Sequence, residues 1–130
     1  MSQNTKVVIT GLGVISPLGL DIEEFWGGLI SGRSGVGPIT CFDTTNFPVS
    51  VAAEVKGFAP QDFIDYRTAR RTGRFVQFAI AAADMAMKSA RLDMSKEETD
   101  RIGVCIGSVG DTYQAARQVE VINERGPRRI

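Results

Sequence analysis

The chain contains no histidine among its 130 residues. Imidazole is the usual general base in nucleophilic catalysis, so this chain cannot form a Ser–His or Cys–His pair from its own residues. Cysteine is scarce too: only Cys41 and Cys105 occur, far apart and without a recognisable secretory signal. We therefore expect two reduced thiols in a cytoplasmic protein, and we predict neither catalytic residues nor a metal site within this chain.

Net charge and long apolar runs are also missing. Fifteen Lys and Arg residues balance 15 Asp and Glu residues, which argues against a nucleic-acid partner and against a membrane-surface protein. The longest apolar-rich stretch, Phe75 to Met87, includes Gln77 and Asp84 and is too short to span a bilayer. What remains is the composition of an ordinary soluble domain, with 43% apolar residues.

Two segments have the pattern of buried parallel strands that end in glycine-rich turns. The first covers residues 6–10 and runs into Gly11-Leu12-Gly13, and the second covers residues 101–107 and runs into Gly107-Ser108-Val109-Gly110. The remaining patterns predict helices over residues 22–30, 67–90 and 112–124, an irregular connection over 31–50 and an extended piece over 51–55. This alternation predicts an α/β fold. Two strands do not make a stable open sheet, so we expect the chain to be part of a larger fold.

The helix predicted over residues 67–90 is unusual in its second half, FVQFAIAAADMAM, which is apolar on nearly every face. A helix of this kind is typically buried on all sides, as in the centre of a layered domain. Its many alanines would let the neighbouring layers come close.

Neither glycine-rich turn matches a catalytic or nucleotide-binding motif. The dinucleotide motif G-x-G-x-x-G would need a third glycine where Ser16 stands, so a tight structural turn is the better interpretation. The nucleophile elbow G-x-S-x-G would need glycine two residues before Ser108, where Ile106 stands. Without any histidine, a serine hydrolase is not expected.

A basic cluster carries more information. Its members fall at i, i+3, i+4 and i+7 of the predicted helix, with no acidic residue nearby: Arg67, Arg70, Arg71 and Arg74. Two interpretations are open on the residues alone. The cluster is either a surface stripe paired with acidic residues from elsewhere in the fold, or a dock for an acidic or phosphorylated partner, since guanidinium groups suit carboxylate and phosphate.

Several stretches, taken in order and with their spacing, resemble the N-terminal part of the β-ketoacyl-(acyl carrier protein) synthases, the elongating type II condensing enzymes. They are VVITGLGVISPLG, FWGGLISGRSGV, ITCFDTTNFPVSVAAEV, ARRTGRFVQFAIAAADMAM, RIGVCIGS and GPRRI. The resemblance implies that residues 1–130 form part of the N-terminal half-domain of a thiolase-like layered α/β/α/β/α fold. The catalytic cysteine elbow and the C-terminal half are then expected to lie outside this chain.

The family reaction is a decarboxylative Claisen condensation of an acyl thioester with malonyl-carrier protein in fatty acid biosynthesis. The resemblance implies an acyl carrier protein as partner, a homodimer in the complete enzyme, and no cofactor beyond the phosphopantetheine that carries the substrates. It also implies that this chain alone is inactive. The alternative is a non-catalytic subunit or split-protein partner that shapes the pocket or docks the carrier for a separate catalytic chain.

The resemblance also assigns two sets of site residues. The positions that match the carrier-protein-binding residues of the family are Arg67, Arg70 and Arg71. The positions that match the turn lining the acyl pocket are Ser108, Val109 and Gly110. Neither Cys41 nor Cys105 occupies the position of the family's nucleophile.

Overall fold

A computed structural model of the chain describes residues 6–109 and 112–126. The helices are α1 (Ile22–Ile30), α2 (Tyr66–Arg71), α3 (Arg74–Ser89) and α4 (Thr112–Arg125). The strands are β1 (Val36–Pro38) and β2 (Val51–Ala53), and single 3₁₀ turns cover Pro60–Asp62 and Thr99–Arg101. No helix in this described part is long and apolar enough to cross a membrane.

Helix α1 begins and ends where the sequence predicts. The Asp21 carboxylate accepts a hydrogen bond from the backbone N–H of Glu24 at 2.8 Å, and the Glu24 carboxylate accepts one from the N–H of Leu20 at 3.1 Å. These bonds satisfy backbone donors that the first turn leaves without helical partners. At the other end, Gly32 has a φ of +66°, the left-handed conformation that glycine adopts most readily after a helix.

Strands β1 and β2 form a small antiparallel hairpin, with Val36 opposite Ala53 and Pro38 opposite Val51. Strand β2 lies within the segment predicted as extended. Strand β1 lies in the connection predicted as irregular, so that prediction was wrong for residues 36–38. The sequence gives no strand signal there because glycine and proline, which occupy 37 and 38, are depleted in strands.

The carboxylate of Glu54, directly after β2, ties down the chain that follows β1. One oxygen accepts hydrogen bonds from the backbone N–H groups of Thr40 at 3.0 Å and Cys41 at 3.2 Å. The other accepts a hydrogen bond from the Thr40 hydroxyl at 2.7 Å. These bonds, led by that of the Thr40 side chain, lower the pKa of Glu54 from 4.5 to about 2.

The single helix predicted over residues 67–90 is two helices in the structure. Thr72 has an extended backbone, with φ −114° and ψ 141°, and Gly73 precedes α3 with φ −70° and ψ 161°. A β-branched residue followed by glycine is a weak site for a continuous helix, because both residues have low helix propensity. Helix α4 lies over the predicted range, and Gly126 ends it with a φ of +80°.

Among the described glycines, the closest approach to neighbouring backbone joins the first glycine turn to α3. A Cβ atom added at Gly13 would lie 2.0 Å from the carbonyl oxygen of Ala82, and one added at Gly11 would lie 2.2 Å from that of Ala86. The backbone of the turn therefore rests directly on the alanine face of the helix, as the alanine content predicted. Ala81, one position before Ala82, is completely buried.

The two segments predicted as buried parallel strands are not strands in the structure. The only sheet in the described part is β1–β2, and Val7, Ile9 and Val104 are 92%, 81% and 83% exposed. A strand exists only through hydrogen bonds to a neighbour, and none of the described residues pairs with these segments. The apolar pattern of both segments is therefore left uncovered by the described chain.

The prediction that the second half of the long helix is buried on all sides was also wrong for this chain. Only Gln77 and Ala81 are buried on α3. The chain exposes 11002 Å², whereas a compact monomer of this size exposes about 6,700 Å². The apolar faces that the sequence marks as core need further protein to cover them.

We predict that Gly13→Ala destabilises the protein and that Gly27→Ala does not. At Gly13 the new methyl group would collide with the Ala82 carbonyl, which should lower the free energy of unfolding by about 1–3 kcal/mol. At Gly27, inside α1, nothing lies within 4 Å of the added atom. The gain in helix propensity should therefore raise the free energy of unfolding by about 0.5–1 kcal/mol. Urea unfolding of both variants measures the difference, and equal effects would contradict the packing described for the turn.

We also predict that Glu54 stabilises the hairpin in a pH-dependent way. Because its pKa is lower in the folded state, the stabilisation is fully present above pH 4.5 and is lost as the pH falls toward about 2. Glu54→Gln should therefore reduce stability at neutral pH and match the parent near pH 2. Thr40→Val, which removes the hydroxyl donor, should change the profile in the same direction. Thermal unfolding from pH 2 to 7 tests this, and parallel profiles for parent and Glu54→Gln would refute it.

Candidate functional site

The basic cluster begins on the short helix α2, which Asp65 caps at its N-terminal end. The Asp65 carboxylate accepts hydrogen bonds from the backbone N–H groups of Arg67 at 2.9 Å and Thr68 at 3.1 Å. The Thr68 hydroxyl donates a further hydrogen bond to it, and this bond is the main reason that the pKa of Asp65 is lowered. The carboxylate stays ionised and caps the start of the helix that carries the arginines.

Arg67 and Arg70 lie exposed on α2. The guanidinium carbon of Arg70 lies 5.7 Å from the ring centroid of Tyr66, which is within cation–π range. Neither arginine forms a salt bridge within residues 6–109 and 112–126. One interpretation was that acidic residues elsewhere in the fold pair with the cluster. The described chain does not support it for Arg67 and Arg70. Arg71 is also exposed on α2.

Arg74 is placed differently from the other arginines of the cluster. It is the first residue of α3, and its guanidinium donates a hydrogen bond to the carbonyl of Val55 at 3.0 Å. The guanidinium carbon also lies 4.8 Å from the ring centroid of Phe78 and 5.9 Å from that of Phe58. The break at residues 72–73 thus divides the predicted single stripe, and Arg74 has a packing role.

An aromatic cluster stands beneath Arg74 and joins α3 to the 3₁₀ turn before α2. The rings of Phe58 and Phe78 meet edge to face with centroids 4.9 Å apart. The rings of Phe58 and Phe63 are stacked, with centroids 5.9 Å apart. Phe58 and Phe63 flank this turn, which lies beside α2, so the cluster links α3 to the chain that leads into the basic helix.

Gln77 joins α2 to α3 directly, and the sequence analysis did not identify it as a site residue. Its side-chain nitrogen donates hydrogen bonds to the carbonyls of Ala69 at 2.9 Å and Thr72 at 3.0 Å. The side chain is 8% exposed. The sequence signal for a structural role of Gln77 is that it is a polar residue within a long apolar stretch. Its hydrogen-bond partners could not be predicted, because they lie across a helix break that the sequence did not indicate.

The second set of predicted site residues is the turn assigned to the acyl pocket. Ser108 and Val109 lie exposed in an irregular segment, and Val109 is fully exposed. Gly110 lies outside the described residues. A groove of about 550 Å³ does occur between the turn at residues 16–20 and the hairpin, where the Arg33 guanidinium donates to the carbonyl of Leu18, but neither Ser108 nor Val109 lines it.

The two thiols are both exposed and unpaired with each other. The pKa of the Cys41 thiol is raised, mainly by its hydrogen bond to Glu54 and then by the negative charge of that carboxylate. A raised pKa disfavours the thiolate, which is the nucleophilic form. Among the described residues, no group of three or more Cys, Asp or Glu side chains is arranged to hold a metal ion.

Comparison with known proteins identifies the family. The model of the β-ketoacyl synthase N-terminal domain matches residues 4–130. The chain is 44% identical over 133 residues to 3-oxoacyl-[acyl-carrier-protein] synthase 2 of Staphylococcus aureus (strain COL), an alignment that covers 100% of this chain and 32% of the relative. The chain thus spans about a third of the length of the curated relatives that it matches.

Solved structures agree with the sequence comparison. The chain superposes on the ishigamide ketosynthase/chain length factor with a TM-score of 0.71 at 37% identity. It superposes on a β-ketoacyl synthase from Burkholderia phymatum STM815 with a TM-score of 0.72 at 28% identity. Each alignment covers 92% of this chain and 30% of the other. The predicted resemblance and the incomplete thiolase-like α/β fold are confirmed, and the chain belongs to the β-ketoacyl synthase family, within its N-terminal domain.

Proposed function

We propose that this chain is the N-terminal segment of a 3-oxoacyl-(acyl carrier protein) synthase II-like enzyme of fatty acid biosynthesis, and we call the longer protein the complete synthase. The observation that carries the proposal is the 44% identity to the S. aureus synthase over the whole chain. The proposed enzyme is cytoplasmic and forms a homodimer, and it uses substrates held on the phosphopantetheine of the carrier protein.

The proposed reaction proceeds in two steps. An acyl group passes from the carrier thioester to a cysteine thiol of the synthase, which releases the carrier thiol. Malonyl-carrier then loses CO₂, and the resulting carbanion attacks the enzyme-bound thioester carbonyl. A carbon–carbon bond forms, the cysteine thiolate leaves, and the product remains on the carrier. This chemistry needs an activated thiolate and paired imidazoles, and this chain has no histidine, so those groups come from other residues of the complete synthase.

The contribution that we assign to this chain is recognition of the carrier protein through Arg67, Arg70 and Arg71. The support is geometric for the first two, since Arg67 and Arg70 are exposed on one short helix and have no salt bridge among the described residues. Exposed guanidinium groups suit an acidic partner surface, where they act mainly on the rate of encounter. The Ser108–Gly110 turn is assigned to the acyl pocket on family resemblance alone.

A second candidate function is a non-catalytic subunit that shapes the pocket of a separate catalytic chain. This second candidate is supported by the similarity to the ishigamide ketosynthase/chain length factor, at 37% identity. The two candidates differ in the residues that follow this segment in the natural protein. An elbow cysteine and two histidines there would support the synthase, and their absence would support the subunit.

The proposed function predicts that activity requires more than this chain. Purified chain should form no 3-oxoacyl product from acyl-carrier and malonyl-carrier, because it lacks the imidazoles. A chimera in which the chain replaces the matched segment of the S. aureus (strain COL) synthase should form it. Product is measured by mass spectrometry of the carrier. Turnover by the chain alone, or a folded chimera without activity, would contradict the proposal.

We further predict that Arg67→Glu combined with Arg70→Glu weakens carrier recognition in the complete synthase. The KM for acyl-carrier should rise by about tenfold and lose most of its salt dependence, because two attractive charges become repulsive. Small acyl thioesters without a carrier should react as before. The matched control is Arg117→Glu combined with Arg125→Glu, which reverses two exposed charges on α4. Equal losses with carrier-bound and small substrates would assign the arginines a structural role instead.

A further inference from the structure

The buried amide of Gln77 is an exception within the described chain, where it is the only buried polar side chain. Burial of an amide costs free energy unless hydrogen bonds replace those lost to water. Gln77 recovers them by donating to two carbonyls, those of Ala69 and Thr72, at 2.9 Å and 3.0 Å. Both carbonyls belong to the end of α2, so the amide binds a neighbouring helix and not its own.

These two bonds matter because of the length of α2. A helix of six residues leaves its last carbonyls without helical partners, and a helix so short is not stable by itself. The Thr72 hydroxyl satisfies one further carbonyl, that of Thr68, at 2.8 Å. The Gln77 amide adds two hydrogen bonds that join the end of α2 to α3. Ala69, whose carbonyl it binds, is the one buried residue of α2.

The same short helix presents Arg67 and Arg70 on its exposed side. The direction in which these side chains point depends on how α2 is rotated against α3, and the two bonds of the Gln77 amide join the end of α2 to α3. Arg74 does not serve this purpose, because its contacts are to Val55, Phe58 and Phe78, none of which belongs to α2.

We propose that Gln77 is a positioning residue for carrier recognition, which holds α2 at the angle where Arg67 and Arg70 meet an acidic partner together. The inference rests on the proposed carrier-docking function. It assigns no chemistry to Gln77, which acts only through the helix that it binds.

The test uses the complete synthase and the substitution Gln77→Met, which keeps the length of the side chain and removes both donors. The KM for acyl-carrier should rise by about fivefold, because α2 then no longer holds its arginines toward the partner. The kcat, and the kcat/KM for small acyl thioesters, should stay close to those of the parent. Gln118→Met, the same change at an exposed position on α4, should leave all of these constants unchanged.

A second set of variants separates this inference from the function on which it rests. In a protein that already carries Arg67→Ala, Arg70→Ala and Arg71→Ala, Gln77→Met should add no further rise in KM, since it acts through those arginines. An additive rise, or an equal loss with small thioesters, would overturn the inference and leave the docking function standing. If the three arginine substitutions alone leave KM unchanged, the docking function fails, and the inference fails with it.

Hydrogen exchange provides a readout that does not depend on activity. In Gln77→Met, amides of residues 66–72 should exchange faster than in the parent, while those in the middle of α3 should not. If Gln77→Met does not fold, Gln77→Asn keeps the amide but is too short to reach both carbonyls, and it should show the same local change. Unchanged exchange over residues 66–72 in the variant that folds would overturn the inference.

Discussion

The arrangement of this chain depends on the contact between the Gly11–Gly13 turn and the alanine face of α3. Only glycine and alanine stand at the contact, and Cβ atoms added at the two glycines would lie 2.0–2.2 Å from carbonyl oxygens of the helix. This close approach sets the distance between the first segment of the chain and its longest helix. It also explains why the turn contains two glycines although it matches no nucleotide motif. Close packing of one backbone segment on another leaves little room for either to move. Helix α3 therefore sets the positions of the elements that pack on it.

The N-terminal end of α3 then positions the basic helix. Arg74 joins α3 to the chain after β2 and to the aromatic cluster, and Gln77 joins α3 to α2. The four arginines look equivalent in sequence, because they share one helical periodicity. The break at Thr72 and Gly73 separates them into a packed arginine and three on α2. Local backbone geometry, and not charge pattern, therefore divides the cluster between two helices.

What the sequence could predict was local. The spans of α1 and α4 followed from their apolar periodicity, because that pattern is set by residues a few positions apart in the chain. The hairpin was predicted only in part, since Gly37 and Pro38 disfavour a strand until β2 lies beside them. The buried strands at residues 6–10 and 101–107 have the right pattern but no partner among the described residues. In the candidate site, the roles of Arg67, Arg70 and Arg71 stay predictions from the resemblance. Gln77 was missed because its partners are defined by a helix break.

The basic helix and the segments assigned to the acyl pocket differ in how much of their packing the described chain supplies. The contacts described for the basic helix lie within residues 55–78. The apolar segments at residues 6–10 and 102–109 differ from the basic helix, because the described chain leaves them exposed. A pocket lined by Ser108 and Val109 can form only when other protein covers these segments. The carrier-docking surface that we propose can therefore be built by local contacts, whereas the proposed acyl pocket requires the long-range contacts of the complete layered fold.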